Sequence, residues 1–159
     1  MLSAATPEGN LPCIVTGNDA WVDRTQTPLV SLITWDVYKR TGNRALLELA
    51  YPILAANNAW IRRTRDGNGN GLYEFGSSDV GLGLYKGTKL AAKDESFMDN
   101  SPIHDEASWR PEARTLDCED VGLNSLIAVD CEHLARIAEA LGRDAGEELK
   151  RRAGPGYFA

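Results

Sequence analysis

Basic residues are in short supply here: 17 Lys and Arg against 23 Asp and Glu, a net charge of −6 over 159 residues. A surface that grips a phosphate backbone needs clustered cations. The basic knots are Arg62, Arg63 and Arg65, then Lys150, Arg151 and Arg152. Both fall near predicted helix C-termini, where cations complement the helix dipole, and read as solvated helix ends. No nucleic-acid partner is expected. Long apolar runs are also missing, which excludes a membrane-spanning helix and removes the membrane as an expected partner. The three cysteines, Cys13, Cys118 and Cys131, are odd in number and lack CxxC spacing. They argue against a disulfide framework or structural zinc and read as buried free thiols. His104 and His133 are far apart and share no metal-ligand spacing; His133 reads as a surface or boundary residue. Gly81, Gly83 and Gly87 precede no GKS or GKT, so they form no phosphate cradle. Met1 to Asn10 shows no basic segment followed by an apolar one, so no export signal is read and the cytoplasm is the expected location.

What remains is an ordinary globular composition, 43% hydrophobic and 25% charged, long enough for one domain with a real core. Residues 1–26, rich in Gly, Pro, Asn, Asp and Thr, read as extended loop. Thr27 then Pro28 predicts a helix start, with Leu29, Leu32, Ile33 and Tyr38 on its apolar face and Gly42 as its stop. Asn43 caps a second helix to about Arg65, with a kink or a fresh start at Pro52. Residues 66–117 carry many Gly and Pro and no helical period; a loop of that length inside a domain is usually functional. From Glu119 the helical pattern returns, with Val121, Leu126, Ile127, Leu134, Ile137, Ala138 and Leu141 on one face and Gly142 at its end. Asp144 and Glu147 have capping-box spacing for a last helix. No strand is evident. The predicted class is all-α, an array of antiparallel hairpins.

The long loop holds the chemistry. Glu95, Ser96, Phe97, Met98, Asp99, Asn100, Ser101 and Pro102 form a polar and aromatic cluster, followed by Asp105 and Trp109. Rings stack on the apolar faces of sugars, and a partly desolvated carboxyl holds its proton at higher pH and can donate it. Capping and packing are the commoner roles of Asp and Trp in a loop. A second feature is the turn Asp66, Asn68, Asn70, Gly71. Its alternating oxygens suit a hard cation, although Ser77 stands where an EF-hand has its bidentate Glu, and Glu74 comes three places earlier. An Asx-rich structural turn explains the same residues equally well.

The run Glu95–Pro102 with Asp105 resembles the acid-bearing segment of glycoside hydrolase family 63, which includes processing α-glucosidases and mannosylglycerate and glucosylglycerate hydrolases. Asp66-Gly67-Asn68-Gly69-Asn70-Gly71-Leu72-Tyr73-Glu74-Phe75-Gly76, Asp23-Arg24-Thr25-Gln26-Thr27-Pro28-Leu29 and Val121-Gly122-Leu123-Asn124-Ser125 are similar to further segments of that family, in its order. The resemblance spans roughly residues 11–142. It implies an α/α barrel of six hairpins with the site at its mouth, and inverting hydrolysis of an α-glycosidic bond. Asp99 falls on the general acid. Gln26 falls near a sugar-binding position, with Asp94, Asn100 and Trp109 as further substrate-binding candidates. Asp66, Asn68, Asn70 and Glu74 are the candidate ligands of a Ca²⁺ ion that some relatives hold; no cofactor is required for the chemistry. Phe97 and Met98 stand where the family often has Gly and Trp.

An inverting reaction needs a second carboxylate about 6.5–9.5 Å from the acid. The family's base is a Glu from a late segment, and no residue here is assigned to it. With about four predicted helices against the family's twelve, the expectation is one incomplete α/α-barrel domain over residues 1–159, inactive alone and inclined to self-associate through apolar stripes. The alternatives are a trehalase-like barrel enzyme and a non-catalytic helical module that binds sugar or calcium.

Overall fold

The computed structural model describes residues 2–153. Helices dominate, as expected, but the all-α reading needs correction: five short strands build two antiparallel sheets. The first is a hairpin of β1 (Pro12–Val15) and β2 (Ala20–Thr25), pairing Ile14 with Trp21 and Val15 with Ala20. It lies inside the segment read as loop. Its strands were hidden because only four to six residues long and flanked by turn formers.

Helix α1 (Val30–Thr41) and α2 (Arg44–Thr64) follow as a tight hairpin. Gly42 ends α1 at φ 67°, the left-handed conformation that glycine adopts without penalty. Asn43 caps α2 by accepting the Leu46 N–H. The start of α1 differs from expectation. Thr27 does not cap it; its carbonyl accepts the Leu29 N–H, Pro28 sits in that turn, and the helix begins at Val30 with no side-chain cap. Its inward face also differs. Ser31 and Thr34 are buried while Ile33 is 57% exposed. Pro52 neither breaks nor restarts α2, which runs unbroken through it. The residue lies on the exposed face, where the carbonyl robbed of its amide partner can take water.

The long segment is more ordered than its composition suggests. It contains β3 (Glu74–Gly76), α3 (Lys89–Asp94), a single 3₁₀ turn at Pro102–His104, β4 (Trp109–Arg110) and β5 (Thr115–Glu119). The strands form a sheet of order β3-β5-β4, with Gly76 opposite Thr115 and Arg110 opposite Thr115 on the other side. Helix α4 (Val121–Ala140) begins at Asp120, whose carboxylate accepts the Leu123 N–H at 2.7 Å. Val121, read from the sequence as part of the apolar face, faces out at 81% exposure, and Leu123 is buried in its stead. Helix α5 (Glu147–Ala153) closes the described chain. Asp144 accepts the Gly146 N–H before it; the side chain of Glu147, its expected capping partner, lies outside the described ones.

Helices α1, α2 and α4 pack on one another, and α5 packs on α4. The main core joins Leu54 and Ile61 of α2 with Ile127, Cys131 and Leu134 of α4, and reaches Phe75 and Leu116 of the small sheet. A satellite cluster of Leu47, Ile137 and Leu141 sits under Trp35 and Tyr38. The core therefore binds the helical slab to the sheet, and α3, within the segment 77–105, packs on β3 and β5.

Candidate active site

The site is built outward from one buried carboxylate. Glu95 follows α3 and is 3% exposed. Its Oε1 accepts the Thr25 N–H at 2.9 Å and Arg65 Nη2 at 2.8 Å; its Oε2 accepts the Gly76 N–H at 2.7 Å and Arg65 Nε at 2.8 Å. Arg65, at 1% exposure, leaves the end of α2 with its guanidinium 4.6 Å from the centre of the Trp60 ring, and also donates to the Asp23 carbonyl. Placing Arg65 on a solvated helix end was wrong. A forked ion pair with every carboxylate lone pair occupied is the arrangement that makes a buried charge tolerable, and deleting one partner costs about 3–5 kcal/mol.

Beside this pair runs a second chain of charges that begins buried and leads outward. Asp23 is fully buried, accepts Ser77 Oγ at 2.8 Å, and lies 2.9 Å from Arg24 Nε. Arg24 extends past the Trp21 ring, at 5.3 Å, to donate to the Leu84 carbonyl and to Asp94 Oδ2 at 3.2 Å. Asp94 is the last residue of α3. Burial pushes its carboxyl above the ordinary range; the charge of nearby Asp99 pushes it further, and Arg24 opposes both.

From Glu95 the chain makes a hydrogen-bonded reversal. Ser96 N–H reaches the Lys93 carbonyl, Phe97 N–H reaches the Asp94 carbonyl at 3.0 Å, and Ser101 N–H closes on the Met98 carbonyl at 2.8 Å. Phe97 occupies φ 58°, an unusual conformation for a bulky residue. Asp99 and Asn100 project from this turn into solvent, flanked by the exposed side chains of Phe97 and Met98. Ser101 then caps the 3₁₀ turn, and buried His104 meets Asp120 at 3.2 Å and the edge of Phe75. His104 thus ties the loop to the start of α4.

The candidates named from sequence separate into groups. The charge of Asp99 is near enough to raise the pKa of Asp94, and Asn100 follows Asp99 in the turn. Gln26 follows β2, half-buried, with its amide on the Cys13 carbonyl. Trp109 stands on β4, pairs with Leu116 and packs on the core. The turn at 66–74 forms a separate feature. Asp66 Oδ2 accepts the Gly71 N–H, Asn68 Oδ1 the Asn70 N–H, Asn70 Oδ1 the Leu72 N–H, and Glu74 Oε2 the Gly67 N–H. Glu74 is fully buried against Arg110; burial raises its pKa, with Gly67 and Arg110 pulling the other way. Among the described residues, no three His, Cys, Asp or Glu side chains gather as a metal site.

Glu95, Arg65, Asp23 and Arg24 escaped assignment as individual site-building residues. Glu95, Asp23 and Arg24 lie within the motif runs, but their pairings span from one to seventy positions, and no local spacing reveals them. His133 is buried, not at the surface, with Nδ1 on the Val129 carbonyl. Cys13 and Cys131 are buried free thiols, as expected, and Cys118 is half-buried. No helix of the described residues is long and apolar enough to cross a membrane.

No curated protein matches the chain. The mannosylglycerate hydrolase MGH1-like glycoside hydrolase domain matches residues 1–155. That span contains both charge networks, the turn bearing Asp99 and all four motif runs, and the chain belongs to this family of glycoside hydrolase domains.

Proposed function

We propose that the chain serves hydrolysis of an α-glycosidic bond with inversion, and that Asp99 is the general acid. The observation that carries this reading is the placement of Asp99 on a hydrogen-bonded turn that follows directly from the buried Glu95–Arg65 ion pair, within a glycoside hydrolase domain. A proton donor has to reach a glycosidic oxygen from a fixed position. Asp99 protonates the leaving oxygen. Asp94, Asn100 and Gln26 contact the sugar, and Trp109 contributes an aromatic face at the edge of the subsite. The base that activates water is not assigned to a residue of this sequence.

No cofactor enters the proposed chemistry. A Ca²⁺ ion at the 66–74 turn would have to compete with the backbone N–H groups now held by Asp66, Asn68, Asn70 and Glu74. Asp66 Oδ1 is an oxygen of that turn buried without a hydrogen-bond partner. In this reading the turn fastens α2 to β3.

The test is Asp99→Asn in the enzyme, assayed on α-glucosides, α-mannosides, trehalose and glyceryl glycosides. We expect kcat on the preferred substrate to fall by about 10²–10⁴-fold while substrate still binds. Undiminished kcat would refute the assignment. Preference within the panel separates the mannosylglycerate-hydrolase-like specificity from a trehalase-like one.

A further inference from the structure

We infer that Glu95 is a positioning residue for the acid: its buried fork to Arg65, with the Thr25 and Gly76 amides, fixes where the Asp99 carboxyl is presented. The inference rests on the proposed role of Asp99.

Four separate parts of the fold converge on one carboxylate. Thr25 ends β2, Arg65 follows α2, Gly76 ends β3, and Glu95 itself follows α3. All four donor–acceptor distances lie between 2.7 and 2.9 Å, and both charged side chains are almost completely excluded from water. A helix of six residues has little holding power of its own, since helix formation is costly to nucleate. The carboxylate supplies what α3 lacks. Gly76 also has no room for change. A Cβ there would stand 2.5 Å from the Arg114 carbonyl oxygen and 3.1 Å from Arg65 Nε, so the strand and the guanidinium are set against each other.

From this anchor to Asp99 the backbone has little slack. The reversal begins at Glu95, passes through the Ser96, Phe97 and Met98 hydrogen bonds, and is closed by Ser101. The far side is tied down as well, because Lys89 donates to the Asp105 carbonyl at 2.7 Å and Lys93 pairs with the Asp105 carboxylate. Asp99 itself is solvent-exposed, so its reach toward a substrate oxygen is set by the turn and not by packing of its own side chain. Asp94 precedes Glu95 and shares the same anchor. Loosening Glu95 therefore changes the distance between the two aspartates as well as the position of each.

Glutamine is nearly isosteric with Glu95 but replaces one acceptor oxygen by an NH₂ group. In either orientation that group meets two donors, Thr25 N–H with Arg65 Nη2 or Gly76 N–H with Arg65 Nε. Misplacement of a catalytic group by about 1 Å can cost about 100-fold in rate. We expect Glu95→Gln to lower kcat by about 100-fold with KM changed less than about threefold, and to cost little further in an Asp99→Asn background, because the residue acts through Asp99.

A second readout needs no turnover. The Asp94 titration, followed by carboxyl carbon NMR, is expected to move down in Asp99→Asn, which removes the neighbouring charge, and to shift in Glu95→Gln. Arg65→Lys, which keeps the charge and loses the fork, is expected to produce the same changes and serves if Glu95→Gln does not fold. Unchanged titrations and kcat in a folded variant would overturn the inference. So would equal losses with and without Asp99, since a purely structural defect acts on both. An Asp99→Asn enzyme with full activity would instead defeat the proposed function, whatever Glu95 does.

Discussion

At the scale of single residues, charge burial decides more than hydrophobic pattern does. Arg65 sits among basic neighbours at a helix end, and its composition says surface; its structure says interior. The difference is Glu95, thirty positions away, which satisfies both ends of the fork. Gly76 is part of the same arrangement. Its N–H is spent on Glu95, and the backbone of Arg114 leaves no space for a methyl group. Gly76→Ala is expected to destabilise the chain by about 1–3 kcal/mol through overpacking, read as a lower urea midpoint with unchanged m-value. A neutral result would show that the strand and the guanidinium can shift, contrary to the rigid anchor described above. Asp99 could be singled out from the sequence because it lies in a contiguous motif. Arg65 was not, because its role exists only in three dimensions.

Among the elements, the long helices were legible and the short strands were not. α2 and α4 carry enough turns for a period to show, and Gly42 and Asn43 mark the boundary between α1 and α2 by the backbone chemistry of a left-handed stop and a side-chain cap. The β1–β2 hairpin and the β3-β5-β4 sheet have too few residues to show alternation, and β3 lies some forty positions from its partner β5. The buried face of α1 was misread for a related reason. Ser31 and Thr34 point inward toward α4, where Asp130 is buried and hydrogen-bonded to Asn58 at 2.8 Å. Burial lifts the Asp130 carboxyl from 3.8 to about 6, against the pull of Ser31, Asn58 and His133. Because the folded-state pKa is the higher one, this group's contribution is complete below pH 4 and is lost as pH rises through about 6. A shift of about two units is worth about 3 kcal/mol. Asp130→Asn should therefore stabilise the fold at pH 7 by about 1–3 kcal/mol and make little difference at pH 3.5. Urea unfolding at the two pH values checks this. A parent protein whose stability rises between pH 4 and 7, with the rise abolished by Asp130→Asn, would reverse the sign of the argument.

Across the whole molecule, the helical slab and the small sheet share one core, while apolar side chains remain outside it. Ile33 and Val37 on α1 and Leu49 on α2 are 40–62% exposed. Such surface favours association. Light scattering on the purified 17.4 kDa chain is expected to return a concentration-dependent mass above the monomer; a monomer at all concentrations with a sharp melt would show that these faces need no cover. The turn that follows α3 presents Asp99, and its placement is what ties fold to the proposed function. General acid catalysis matters most when the leaving group is poor, since a good leaving group departs without a proton. The most direct measurement is thus the leaving-group dependence of Asp99→Asn. The account predicts a loss of about 10²-fold or more on a natural glycoside and near-parent rates on the corresponding dinitrophenyl glycoside. Equal losses on both substrates, or none on either, would contradict the assignment of Asp99 as the proton donor.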